Sequence, residues 1–314
     1  MVIDRIIPAP LDKAAGKEYA KRVFKDFYGE SAVRAEYLGG GSFGKAYAVK
    51  GKDGEAVVKF MLCDGMIETE TADLSLIGEK LEVKCPKVLY VRKKDGHIPY
   101  DCYVMEKIEG KPLIFSVKHF FASRKKRFEL GEKIVEGLRS LHENTADKFG
   151  ESENPTCDKW TDYYRPFAEN VLSKAEMYAE KGELDGHIVS VMKKFMEKFD
   201  VVFAEEPDKP RLIHGDLNVC NIMVKDGEIA FIDPLNSLYA DVEYDLFQFY
   251  NLTGKRFFLG KIYRKKYGES AFCEAKLAFY GLWNEVFCFI KSGIVVPFIM
   301  NPLVKNAEKI LKIL

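Results

Sequence analysis

Between Ile213 and Val224 the sequence reads IHGDLNVCNIMV, setting His214, Asp216, Asn218 and Asn221 inside an otherwise apolar strip. The chain continues through NIMVKDGEIAFID, where Asp226-Gly227 is a hairpin-turn signal, and reaches Ile232-Asp233. Phosphoryl transfer from ATP asks little covalent chemistry of a protein but strict placement. It needs a carboxylate to take the hydroxyl proton, and an amide and a second carboxylate to hold magnesium on the phosphates. Asp216, Asn221 and Asp233 supply those three groups. The hairpin folds Asn221 and Asp233 toward each other, and Asp216 sits on the loop before the strand. The plainer explanation is an Asx-rich turn between strands.

Two further stretches bear on a nucleotide. In LGGGSFGKAYAV, Gly39, Gly41 and Gly44 fit GxGxxG, with Ser42 inside the loop. Glycines let backbone N–H groups approach phosphate oxygens without an intervening Cβ. A dinucleotide-binding loop leads from strand into helix, whereas KAYAVKGKDGEAVVKF leads from strand into strand, which fits a flap over ATP. Lys59 lies among the apolar residues of AVVKF. Buried there, its ammonium needs a charged partner, and the next helix offers Glu68, Glu70 and Glu79. The alternative is a surface lysine on an edge strand.

HGDLNVCNIMV followed by AFIDP resembles the catalytic segment of the aminoglycoside phosphotransferase and choline kinase-like family, which has the two-lobed protein-kinase-like fold. The resemblance implies that Asp216 is the catalytic base, that Asn221 and Asp233 are magnesium ligands, and that His214 props the loop. It makes Lys59 the phosphate-pairing lysine. Counting from Cys85-Pro86, which resembles the family's Val-Pro turn, Glu70 is its partner, with Glu68 second. YVMEKIEGKPL resembles the family hinge, where backbone groups around Glu106 to Ile108 hold adenine. Asp245 in VEYDLFQF resembles the helix-borne Asp that braces the catalytic loop, although a helix N-terminal carboxylate favoured by the dipole reads the same. The pieces occur in kinase order over residues 38 to 245.

The elements that must position these groups divide into a strand-rich front and a helical back. Asp12 to Tyr28 is an amphipathic helix stopped by Gly29. The runs AEYLGG, AYAVKG and AVVKFML are strands of an antiparallel sheet, with Lys52-Asp53-Gly54 as a turn. MIETETADLSLIGEKL is helical, and KVLYVRKKDGHIPYDCYVMEKI is strand, turn and strand. The fold class is therefore α+β. An ATP-binding lobe spans 1–108 and a catalytic lobe 109–314, with a helical insertion at about 143–210. In the back lobe, KKRFELGEKIVEGLRSLHEN, TDYYRPFAENVLSKAEMYAEKG and IVSVMKKFMEKF are helices.

Composition narrows the function. With 48 Lys plus Arg against 48 Asp plus Glu, 47% hydrophobic and 31% charged residues, no strong field points to nucleic acid. The basic run SRKKR at 123–127 reads as a solvated helix start. Seven cysteines without a CxxC pair suit free thiols in a reducing, cytoplasmic setting. VFCFIKSGIVVPFIM is interrupted by Lys291 and Pro297 and reads as a core helix and a turn, so no membrane partner is expected. His142 is a capping or packing residue, and His97, His119 and His187 lie in surface-like contexts.

Those readings converge on an ATP- and magnesium-dependent kinase acting on a hydroxyl of a small molecule that is aminoglycoside-like, choline-like or amino-sugar-like. The resemblance implies that the acceptor site comes from the back lobe and its insertion, around Tyr163, Tyr164 and Phe167, where Trp283, Glu285 and Asp162 could line it, although aromatics at helical spacing are more often core. Two other classes compete. A protein kinase is disfavoured by Gly215 in place of Arg, by the lack of an Ala-Pro-Glu motif after Asp233 and by the short run to Asp245. A non-catalytic nucleotide-binding module is disfavoured because every polar catalytic position is filled.

Overall fold

The structure, a computed structural model, describes residues 4–41, 43–250 and 254–314. By its contacts the chain falls into two compact units. One joins Ile6–Lys111 with Met223–Asn236, and the other joins Pro112–Ile222 with Ser237–Leu314 and residues 4 and 5.

In the first unit, helix α1 (Lys13–Tyr28) begins where Asp12 Oδ1 accepts the N–H groups of Ala14 and Ala15 at 2.6 and 3.1 Å. It ends at Gly29, whose φ of 72° the left-handed cap requires. Strands β1 (Arg34–Gly40), β2 (Gly44–Lys50), β3 (Glu55–Met61), β4 (Val88–Arg92) and β5 (Cys102–Met105) form an antiparallel sheet in the order β1-β2-β3-β5-β4. The inward residues Tyr47, Val49, Val58, Phe60 and Val104 pack against Ala20, Val23 and Phe24 of α1, making a core closed to solvent. Helix α2 (Ile67–Lys80) lies between β3 and β4 and buries Glu70 and Asp73 beside Ile67, Leu74 and Ile77. The hairpin Ile222–Lys225 and Glu228–Phe231 turns through Asp226 and Gly227, both at positive φ (51° and 90°). Phe231 donates its N–H to the Lys84 carbonyl at 2.9 Å, so this hairpin, remote in sequence, belongs to the sheet-bearing unit.

The second unit is mostly helical: Arg124–His142, Trp160–Glu180, Gly186–Met196, Cys273–Ser292 and Pro297–Leu311 are its long helices. Its core is aromatic. Trp160, Tyr164, Phe199, Phe203, Phe279, Tyr280 and Trp283 are buried, and Phe279 stacks on Trp283 with ring centroids 3.7 Å apart. Three strands of two or three residues each (Gly150–Glu151, Leu238–Ala240 and Arg211–Leu212) form a small sheet in that order. It delivers the chain to His214, with Ile213 donating to the Leu238 carbonyl at 2.9 Å. No described helix is long and apolar enough to cross a membrane; VFCFIKSGIVVPFIM is a helix end, a Gly293 cap and the start of the next helix.

Candidate active site

In the sheet-bearing unit the organising group is Lys59. Its Nζ lies 2.6 Å from Glu70 Oε1 and 2.5 Å from Asp233 Oδ1. Tyr103, paired across the sheet with Lys59, donates its hydroxyl to Glu70 Oε1 at 2.5 Å. Burial alone pushes the ammonium toward its neutral form. The Asp233 charge, the Tyr103 hydroxyl and the Glu70 charge outweigh that, and the Lys59 pKa is held well above its ordinary value. Glu68 instead meets exposed Lys93, and Glu79 is exposed. Asp233 is half exposed and has φ 60°, a left-handed conformation that is uncommon for a non-glycine residue.

Above Lys59 the strands β1 and β2 carry the glycines. A Cβ on Gly44 would come within 2.9 Å of Lys59 Cε and 3.3 Å of the Phe60 carbonyl, so the absence of a side chain there lets the lysine run along the strand. Gly40, which the GxGxxG reading passed over, is as tight: a Cβ would meet the Gly44 carbonyl at 2.6 Å. Among the described residues nothing lies within 4 Å of a Cβ on Gly39 or Gly41, and Ser42 lies outside them. At the hinge, Glu106 donates its N–H to the Lys87 carbonyl at 2.9 Å and is half-buried. Ile108 lines a cavity of about 320 Å³ with Met223, Ile229 and Ala230 and the charged groups of Lys84, Glu109, Lys225, Asp226 and Glu228.

The helical unit holds the other candidate groups. Asn221, buried, donates Nδ2 to the Asp216 carbonyl at 2.8 Å and to Asp216 Oδ2 at 3.0 Å, so its own Oδ1 remains the end suited to a hard cation. Asn218 and Gln248 each donate an amide to Asp216 Oδ1 at 3.0 Å. The loop is held from below by Asp245, fully buried, whose Oδ2 and Oδ1 accept the His214 and Gly215 N–H groups at 2.8 Å each. His142 Nε2 lies 3.1 Å from Asp245 Oδ2, and its Nδ1 lies 2.7 Å from the Tyr263 hydroxyl. Burial pushes the His142 pKa down against the pull of Asp245. His142 is therefore a packed, hydrogen-bonded core residue, and His214 shapes the loop by accepting the Asp216 N–H at Nδ1, 3.4 Å away.

Of the aromatic and acidic candidates, Trp283 and Tyr164 are core, and Trp283 Nε1 donates to the Ala168 carbonyl at 2.9 Å. Asp162 is exposed. Glu285 differs: it is half-buried on the helix Cys273–Ser292, and burial raises its pKa to about 7. Its charge and that of Asp216 both bear on the Cys288 thiol, which is exposed on the same helix. Sequence reasoning missed Tyr103 and Gln248. The signals were Tyr103's cross-strand register with Lys59 and the three-residue step from Asp245 to Gln248.

The model of the phosphotransferase enzyme family (APH) matches residues 35–280, and the chain belongs to that family. No curated protein sequence matches it. Among solved structures it is similar to a candidate fructosamine-3-kinase from Thermobifida fusca YX-ER1 (TM-score 0.66, 19% identity, covering 92% of this chain and 98% of the other). It is also similar to the aminoglycoside phosphotransferase APH(4)-Ia (TM-score 0.71, 13% identity, 93% and 97%). A third is a candidate fructosamine-3-kinase from Haemophilus somnus 129PT (TM-score 0.67, 17% identity, 94% and 98%). The fold is the α+β, protein-kinase-like one, with an antiparallel sheet toward the N-terminus and a mainly helical C-terminal part.

Proposed function

We propose that the protein transfers the γ-phosphoryl group of ATP to a hydroxyl of a small, amine-bearing molecule, with magnesium. The observation that carries the donor half is Lys59 bridging Glu70 and Asp233 directly behind Gly44. This is a buried ammonium kept charged by carboxylates far apart in sequence, beside a glycine whose missing side chain leaves it room. Lys59 would grip the α and β phosphates, and the backbone at Glu106 to Ile108 would take the adenine. Asn221 and Asp233 fit magnesium because both offer hard oxygens, and this ion takes one or two protein oxygens together with phosphate oxygens. Bound there, the ion would neutralise charge developing on the phosphates.

Asp216 then orients the acceptor hydroxyl and takes its proton, and its amide donors keep the carboxylate aimed. The proposal requires Asp216 and Asn221 to act on the same phosphate chain as Lys59 and Asp233. For the acceptor, Glu285 supports an amine. A half-buried carboxylate that shares an electrostatic neighbour with the base can pair with an ammonium while the hydroxyl faces Asp216. A thermostable mutant of APH(4)-Ia has been solved with AMP-PNP and hygromycin B, and APH(2")-IIia with GDP and kanamycin, so both nucleotide types belong in the test.

The test is a phosphoryl-transfer screen with labelled ATP or GTP and magnesium over aminoglycosides, fructosyl amines, choline-like amines, amino sugars and hydroxy amino acids. The proposal expects label on an amine-bearing alcohol. Label on generic protein substrates, or on none of these with nucleotide bound, overturns it.

A further inference from the structure

Resting on the assignment of Asp216 as the base, we propose that Gln248 is a positioning residue that fixes the Asp216 carboxylate for proton transfer. Gln248 is almost closed off from solvent, at 4% exposure, and its Nε2 donates to Asp216 Oδ1 at 3.0 Å. It lies on the helical turn Phe247–Tyr250, which directly continues Glu243–Leu246. That preceding turn carries Asp245, the acceptor of the His214 and Gly215 N–H groups. Residues three apart on a helical segment share a face. One short segment therefore holds the loop twice: its backbone through Asp245 and its reacting side chain through Gln248.

Two other amides on Asp216, those of Asn218 and Asn221, differ in origin. Asn218 and Asn221 belong to the same loop as Asp216 and move with it. Gln248 comes from a separate element and ties the carboxylate to the body of the unit. The χ2 torsion of an aspartate is broad, so without an external donor the carboxylate plane is weakly set. A neutral amide sets it without the charge of a lysine or arginine, which would stabilise the carboxylate and weaken it as a base.

The experiment compares Gln248→Met, Gln248→Glu and Asp216→Asn with the unaltered full chain. The readouts are ADP release from MgATP, with water and with hygromycin B as acceptors, and thermal melting. Gln248→Met keeps length and removes the donor. It is expected to lower kcat by about 10- to 100-fold, with the KM for ATP and the melting temperature little changed. Gln248→Glu separates positioning from packing. Its protonated form can donate the same hydrogen bond and its ionised form repels Asp216, so its kcat relative to the unaltered chain should climb as pH falls from about 8 to about 5. The Gln248→Met ratio should stay level. The inference is overturned if Gln248→Met turns over normally while Asp216→Asn is inactive, or if the two Gln248 ratios run parallel with pH. If Asp216→Asn itself turns over normally, or the unaltered chain releases no ADP, it is the function assignment that falls.

Discussion

Lys59 Nζ stands 2.6 Å from Glu70 Oε1, and the two side chains are only 13% and 10% exposed. A buried ion pair of this kind stabilises little in itself, but removing one partner leaves the other uncompensated, at about 3 to 5 kcal/mol. Lys59→Met leaves Glu70 and Asp233 facing each other without a cation. Its transfer rate should drop ~10²-fold or more, and its denaturation midpoint should fall. Glu70→Gln keeps an acceptor for the Tyr103 hydroxyl and should lose less of both. Comparing kcat/KM for ATP and urea midpoints of the two variants checks the ordering. Equal losses would contradict it.

The glycine loop offers a contrast within one motif. Gly44→Ala forces a methyl group to 2.9 Å from Lys59 Cε, whereas Gly41→Ala meets no described residue within 4 Å. Nucleotide KM should rise by about 5- to 10-fold for the first, the equivalent of roughly 1 kcal/mol of displaced lysine contact. It should stay near normal for the second. Titration of both variants with ATP decides it.

Trp283 lies in the core, stacked on Phe279 and bonded to the Ala168 carbonyl. Trp283→Ala should therefore cost about 3 to 5 kcal/mol of stability, by cavity formation. Trp283→Phe should leave the KM for an acceptor unchanged. A large acceptor KM effect with normal stability would return Trp283 to the acceptor site.

Glu285 provides a pH signature. Burial raises its carboxyl from 4.5 to about 7, so between those values the folded chain holds a proton that the unfolded chain has released. The resulting stability is present at low pH and is lost as pH rises from about 4.5 to about 7, at no more than ~1.4 kcal/mol per pH unit. Glu285→Gln lacks that slope, so relative to the unaltered chain it should gain stability between pH 5 and pH 8. Guanidinium denaturation at both values measures it, and a constant difference across them would contradict the raised pKa.

Much of this was legible from residue order alone. The helix stop at Gly29, the hairpin turn at Asp226-Gly227, and the long helices announce themselves through caps, turns and periodicity that act over a few residues. Other features were hidden because they are set by tertiary contact. Strands such as Arg211–Leu212 and Leu238–Ala240 are too short to show a period of two. That the hairpin after Asn221 joins the sheet-bearing unit depends on long-range contacts such as the bridge from Lys84 to Ala230. Gly40 matters through its distance to the Gly44 carbonyl, which no GxGxxG count contains. Asp162, Trp283 and Glu285 were equal candidates by composition, and only burial separates the exposed, the core and the half-buried member.

The most direct measurement is phosphoryl transfer by Asp216→Asn, which keeps the shape of the side chain and removes its basicity. Its kcat should be lower by about 10²-fold or more, with nucleotide binding and melting temperature retained. Turnover equal to that of the unaltered chain would contradict it.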